Sequence, residues 1–194
     1  MAGPRIAIIY QTGEGHTADI AHRIADRLGE AGCDPVIREV EAAPDTLDGF
    51  DGVLVGGSVH VGKFGRALGS WTKEHAVALG ALPNGFFSVS MTAAVHDEAH
   101  LARAGEMADA FFAQTGWHPD MVALLGGALL YTRYGWIKRF AMKRIAAHDF
   151  PGLTDTHRDY DLTDWEAVDH FAKDVAAHVK AATVATPPPV EVSR

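Results

Sequence analysis

Arg5-Ile6-Ala7-Ile8-Ile9-Tyr10-Gln11-Thr12-Gly13-Glu14-Gly15-His16-Thr17 is the stretch that decides the fold class. Residues 5–10 form a short apolar, β-branched run, the pattern of a strand buried on both faces of a parallel sheet. A glycine turn follows. Ile20, Ala21, Ile24, Ala25 and Leu28 then recur at helical spacing, with Gly32 as the stop. A strand passing through a glycine turn into a helix is the first step of a doubly wound sheet, whose ligands sit at the carboxyl ends of the strands. The turn offers the hydroxyls of Thr12 and Thr17, close backbone approach at Gly13 and Gly15, and a helix N-terminus behind them. Such a place favours an anion. No lysine follows Gly15, so this is not a Walker loop, and the spacing is not the dinucleotide GxGxxG. A plain strand-to-helix turn with a threonine N-cap uses the same residues, and the loop alone leaves both readings open. Glu14 is expected to turn its carboxylate outward, since it would repel a phosphate.

The alternation continues outward from this unit. Pro35 to Val40, Gly52 to Gly56, Phe86 to Ser90 and Met121 to Leu130 read as further strands. Phe64, Leu68, Trp71, His75 and Leu79 mark one helix, and Leu101, Ala104, Ala108, Phe111 and Phe112 mark another. In the last helix Thr163 and Glu166 fit a capping box, and Val168, Phe171, Ala172, Val175 and Val179 supply the apolar face. The pattern predicts an α/β doubly wound parallel sheet of five strands in a single domain over residues 1–182. A helical insertion at about 131–162 separates the fifth strand from the last helix, and 183–194, with Pro187-Pro188-Pro189, is expected to be a disordered tail.

The chain has 194 residues, 47% of them apolar and 22% charged, enough for one ordinary core. Its net charge of −8 disfavours non-specific nucleic-acid binding. A lone cysteine, Cys33, excludes an internal disulfide and points to a reducing cytoplasm. No run of about 18 apolar residues suggests a membrane span. His96 and His100 are four apart, but no third ligand accompanies them, so no metal site is expected. Against the acidic whole, Arg133, Lys138, Arg139, Lys143 and Arg144 form a basic stretch with no acid between them, interleaved with Tyr134, Trp136, Ile137, Phe140 and Ile145. Such a helix suits an anionic membrane surface, or the carboxylates of an acidic substrate, or simply a solvated helix face.

The loop 12–17 resembles the flavodoxin loop that holds the phosphate of flavin mononucleotide (FMN), and the likeness extends to about residues 5–180. Gly57-Ser58-Val59-His60-Val61-Gly62, Trp71, Lys73-Glu74-His75, Phe87-Ser88-Val89-Ser90, Trp117-His118-Pro119-Asp120, Gly127-Ala128-Leu129, Tyr131-Thr132-Arg133-Tyr134-Gly135-Trp136, Arg139-Phe140, Thr154-Asp155-Thr156 and Thr163-Asp164-Trp165-Glu166 are similar to one branch. That branch is the flavodoxin-like, menaquinone-dependent protoporphyrinogen IX dehydrogenases, a family of bacterial protoporphyrinogen oxidases. The resemblance implies a flavodoxin-like sheet in the order 2-1-3-4-5. It implies FMN held by Thr12, Gly13, Glu14, Gly15, His16 and Thr17, and flanked by Ser58, Val59, His60, Val61 and Gly62 on one side. Ser90, Met91, Thr92, Ala93 and Ala94 would line the other side. It further implies oxidation of a tetrapyrrole for haem synthesis, with a quinone as acceptor, in the cytoplasm or peripherally on the inner face of the cell membrane. Arg133, Lys138, Arg139, Lys143 and Arg144 become candidates for substrate or membrane contact. A homo-oligomer stays open. The chain departs from the family pattern at His60, Val61, Leu130 and His157.

The flavin would supply the redox chemistry, so no side-chain nucleophile is required. Neither the second nor the third loop carries an aromatic side chain at its tip. Either one flavin face is open to a flat partner, or Trp117, Tyr131 or Tyr134 folds over it from elsewhere. His60 either orients substrate and steadies charge near reduced flavin or is an ordinary exposed histidine. An electron-carrier flavodoxin and a nicotinamide-dependent quinone reductase are the competing functions.

Overall fold

The structure, a computed structural model, describes residues 3–95, 97–150 and 152–185. Its central sheet is built from β1 (Arg5–Gln11), β2 (Asp34–Glu39), β3 (Gly52–Ser58), β4 (Asn84–Ser90) and β5 (Met121–Gly126). All neighbours pair in parallel, in the order β2-β1-β3-β4-β5. The helices are α1 (His16–Glu30), α2 (Arg66–Glu74), α3 (Ala76–Gly80), α4 (Glu98–Thr115), α5 (Trp136–Asp149) and α6 (Trp165–Ala185). The order expected from the sequence is the order observed.

Side chains that alternate along each strand divide the core in two. Ile6, Ile8, Leu54, Phe87 and Leu125 pack on one face against Ile20, Ile24 and Leu28 of α1 and Val168, Ala172, Val175 and Val179 of α6. Ala7, Ile9, Val53, Val55 and Phe86 pack on the other against Leu68, Ala108, Phe111, Phe112 and Trp117. The two helices of the first face are also strapped by charge. Arg23 donates to both oxygens of Asp169, at 2.6 and 2.8 Å, and this holds the carboxyl down at about 2. Cys33, just before β2, is buried at the edge of the same layer, and burial pushes its thiol pKa up.

Four boundaries differ from the sequence reading. The helix expected over Phe64–Leu79 breaks at His75, whose backbone N–H and imidazole Nδ1 both engage the Trp71 carbonyl, at 3.0 and 2.9 Å. The strand expected over Met121–Leu130 ends at Gly126. Gly127 bonds the Ser90 carbonyl, and β6 (Ala128–Leu129) turns away to pair antiparallel with β7 (Tyr160–Asp161). The cap of α6 is Asp164, whose Oδ1 accepts from the N–H groups of Glu166 and Ala167 at 3.0 Å, so Thr163 is left for another task. That helix reaches Ala185 and so includes Thr183 and Val184, placed in the tail by the sequence; residues 186–194 lie outside the described residues.

The insertion has its own core of Leu129, Leu130, Tyr131, Tyr134 and Ala146, with Met142, Leu153, Tyr160 and Leu162 against it. The Tyr131 hydroxyl donates to the Leu153 carbonyl, and the Thr132 hydroxyl donates to Asp159 at 2.7 Å. Arg139 donates to the carbonyls of Tyr131 and Tyr134.

Phe86 is fully buried and meets the rings of Phe64, Phe111, Phe112 and Trp117, at centroid distances of 5.2 to 6.1 Å. Phe86→Ala is expected to cost about 3–5 kcal/mol, read from denaturant unfolding at constant slope; a loss under about 1 kcal/mol would show that this layer collapses freely.

Candidate functional site

In the order β2-β1-β3-β4-β5 the connections leave β1 and β3 towards opposite faces, which opens a crevice at the carboxyl end of the sheet. Three loops meet there: 12–17 after β1, 58–62 after β3 and 90–95 after β4.

The first loop is shaped around an exposed helix start. Gly15 takes φ 98°, a left-handed conformation natural to glycine, and α1 has no side-chain cap. The Thr12 Oγ1 accepts from the Gly15 N–H at 2.9 Å and folds the loop on itself. Thr17 is buried within the first turn. The Glu14 carboxylate does not turn outward as the sequence led us to expect. Its side chain is 25% exposed and stands 3.9 Å from His60 Nε2. Its carbonyl is gripped from outside, because Arg133 Nη1 of the insertion donates to it at 2.6 Å. The guanidinium thus sits directly behind the loop, close enough that a Cβ on Gly15 would lie 2.7 Å from it.

His16 belongs to the loop by its backbone only. Its ring is 12% exposed and points away, towards α6 and the insertion. Nε2 is 2.6 Å from Thr163 Oγ1 and 3.5 Å from Asp161, and Trp165 meets the ring edge-on. The Thr163 hydroxyl has one proton and gives it to the Gly126 carbonyl at 3.0 Å, so Nε2 of neutral His16 is the N–H that donates to Thr163. Burial lowers the His16 pKa, and Arg133 lowers it further. Asp161 and Asp19 oppose that shift without reversing it.

In the second loop His60 and Lys63 exchange both backbone hydrogen bonds, at 2.8 and 3.1 Å, across Val61 and Gly62. Both central residues have positive φ, 50° and 74°, the geometry of a type I′ turn. For the β-branched Val61 this is strained, by about 1–3 kcal/mol. Val61 is also fully exposed. His60 Nε2 lies 3.1 Å from Ser58 Oγ, and a Cβ on Gly13 would come within 2.6 Å of it, so the first two loops touch through this ring. In the third loop Ser90 Oγ accepts from the Ala93 N–H at 3.0 Å, and Ala93 and Ala94 are buried. Met91 packs into the core of the insertion. The second and third loops are joined at their bases by the bond from Val59 N–H to the Val89 carbonyl, at 2.9 Å.

Of the aromatic side chains considered as covers, Tyr131 and Tyr134 belong to the insertion core, against which Met91 of the third loop packs. Trp117 is buried against Phe86 and Phe112, and Tyr131 and Tyr134 are buried inside the insertion. Of the five insertion cations, Arg133 and Arg139 are tied to backbone carbonyls. Lys143 and Arg144 are exposed on α5, and the Lys138 side chain lies outside the described residues. His96 is likewise outside them, and His100 is held by Asp97 at 2.8 Å. The sequence did not foretell that Arg133 braces the first loop, nor that Thr163 and Asp161 engage His16. Those partners lie 119, 147 and 145 positions apart in the chain, and only the fold brings them together.

A family model described as a flavodoxin domain matches residues 7–155. The chain is 33% identical over 170 residues to an Escherichia coli (strain K12) protein named protoporphyrinogen IX dehydrogenase [quinone], covering 87% of this chain and 93% of that one. A Leishmania major protein of the same name is 34% identical over 177 residues, covering 90% of this chain and 75% of that one. Among solved structures, a flavodoxin from the domain Archaea superposes with a TM-score of 0.52 at 14% identity, over 91% and 99% of the two chains. A flavodoxin from Streptococcus pneumoniae TIGR4 gives 0.51 at 19%, over 89% and 98%. The chain belongs to the flavodoxin-domain family, and its cofactor is a flavin.

The first loop fits such a group: an uncapped helix start, a left-handed glycine and a guanidinium behind the backbone make a cradle for a phosphate. The lowered His16 pKa gives a pH dependence. The unfolded chain takes up the imidazole proton near pH 6.5 and the folded chain only at lower pH, so this contribution is complete above 6.5 and is lost as pH falls below it. His16→Gln is expected to flatten the fall in melting temperature between pH 7.5 and 5.5; an equal fall in both proteins would contradict the assignment.

Proposed function

We propose that this protein is an FMN-dependent protoporphyrinogen IX dehydrogenase that passes electrons to a quinone, menaquinone, in haem biosynthesis. The observation that carries this reading is the likeness to the named dehydrogenases, which runs through the insertion as well as the flavodoxin body. The exposed, non-aromatic tip of the second loop supports it, because a flat macrocycle needs an uncovered ring face.

The mononucleotide phosphate fits the first turn of α1, with the N–H groups of Gly13, Glu14, His16 and Thr17 as donors and Thr12 and Thr17 as hydroxyl partners. A bound flavin supplies hydride acceptance and delivery of the electrons to the quinone. The chain's own residues orient the reactants. Ser58 and His60 face one side of the crevice, with the imidazole steadied by Ser58 and Glu14. Ser90 to Ala94 form the other wall. His60 is placed to steady negative charge near the ring, with Glu14 tempering it.

α5 supports the membrane part of the reading. Trp136 and Phe140, four residues apart, are 81% and 64% exposed, and Lys143 and Arg144 follow one turn on. Apolar rings followed by cations on one face suit an anionic lipid surface, where a lipid-soluble quinone resides. No helix among the described residues is long and apolar enough to cross a membrane.

Three measurements test the reading. The purified protein is expected to show a flavin spectrum, with FMN released on denaturation and bound at least about tenfold more weakly after Thr17→Ala. Protoporphyrinogen added anaerobically with a menaquinone analogue should then yield fluorescent porphyrin above the no-protein rate; background-rate formation would refute the enzyme. Vesicles containing phosphatidylglycerol are expected to retain the wild type and release the Lys143→Glu/Arg144→Glu variant, and equal retention would refute membrane docking.

A further inference from the structure

A second cavity lies beside the second loop, between α2 and α4, with a volume of about 690 Å³, inside the range of small-molecule sites. Its wall carries three cations, Lys63, Arg66 and Lys73, and no carboxylate. None of the three has an ion-pair partner among the described residues, although the chain as a whole is strongly acidic. The apolar part of the lining is Phe64, Met107 and Phe111, with the two phenyl rings 4.9 Å apart. Gly69 opens the middle of α2 onto this space. Glycine inside a helix is about 1 kcal/mol less favourable than alanine. An added Cβ here would meet nothing closer than Phe111 at 3.8 Å. Packing therefore does not demand the glycine, and a larger side chain would fill the cleft.

We propose that this cleft binds an amphipathic anion, an apolar ring carrying carboxylates, and that the ring is the tetrapyrrole, whose propionates meet Lys63, Arg66 and Lys73. The tetrapyrrole part rests on the function proposed above. The cleft shares Gly62 and Lys63 with the turn that bears Val61, so a ring with its acid edge in the cleft extends back over that exposed valine towards the crevice. The insertion is less suited to the acid groups, because Arg133 and Arg139 already give their N–H groups to backbone carbonyls.

The test titrates the flavin-loaded protein with protoporphyrin IX and with its uncharged dimethyl ester, following tryptophan fluorescence; Trp71 on α2 is the local reporter. The free acid is expected to bind at least about tenfold more tightly than the ester. Arg66→Glu/Lys73→Glu should abolish that preference. Gly69→Leu, which keeps the charges and favours the helix, should weaken both ligands. Wild-type affinity for the acid in the Arg66/Lys73 variant, or an unchanged KM for porphyrinogen oxidation, would overturn the cleft and leave the enzyme standing. In a parallel arm, loss of anilinonaphthalene sulfonate binding in the Arg66/Lys73 and Gly69 variants, with no form binding the porphyrin, would keep the anion site and overturn the tetrapyrrole and the proposed function with it.

Discussion

α1 begins on a left-handed glycine with no side chain capping it, so its first backbone N–H groups lack side-chain acceptors. Helix termini leave such donors in need of acceptors, and the partial positive charge there favours an anion. The surrounding loop is organised around that condition. Thr12 folds the turn, Arg133 pins it from outside, and His16 anchors the helix start to the junction of β5 and α6. The Arg133 guanidinium adds positive charge where a phosphate would sit.

The insertion is therefore part of the site as well as an attachment to it. It reaches the first loop through Arg133, the third through Met91, and the start of α1 through Asp161. Its own core of tyrosines and leucines makes it stiff enough to position those contacts, while α5 keeps Trp136 and Phe140 outside. One face of this segment braces the loops at the carboxyl end of the sheet, and α5 exposes Trp136 and Phe140.

The sheet was legible because its three central strands, β1, β3 and β4, are buried along nearly their whole length and its helices are amphipathic, so hydrophobic periodicity separates them. The three loops were legible from the family's motifs. The end of β5 was not, because Leu129 and Leu130 continue the apolar run after the chain has left the sheet to build a second core. Asp164 took the cap expected of Thr163 because Thr163 is drawn to Gly126 and His16, partners distant in sequence. The Glu14 side chain was read from its own loop alone, whereas in the fold the His60 imidazole of the second loop stands 3.9 Å from its carboxylate. The α2–α4 cleft escaped notice because Lys63, Arg66 and Lys73 look like ordinary surface cations until Phe64 and Phe111 are seen beneath them.

The buried thiol of Cys33 bears on survival in air. A reduced flavin exposed to oxygen generates peroxide beside the protein that carries it. Peroxide attacks thiolates, and susceptibility follows thiolate character and exposure. Cys33 is 9% exposed and burial keeps its proton on, so the chain's one cysteine is a poor target for the oxidant made by its own cofactor. Oxidative wear should instead fall on the partly exposed methionines, Met91 of the third loop among them.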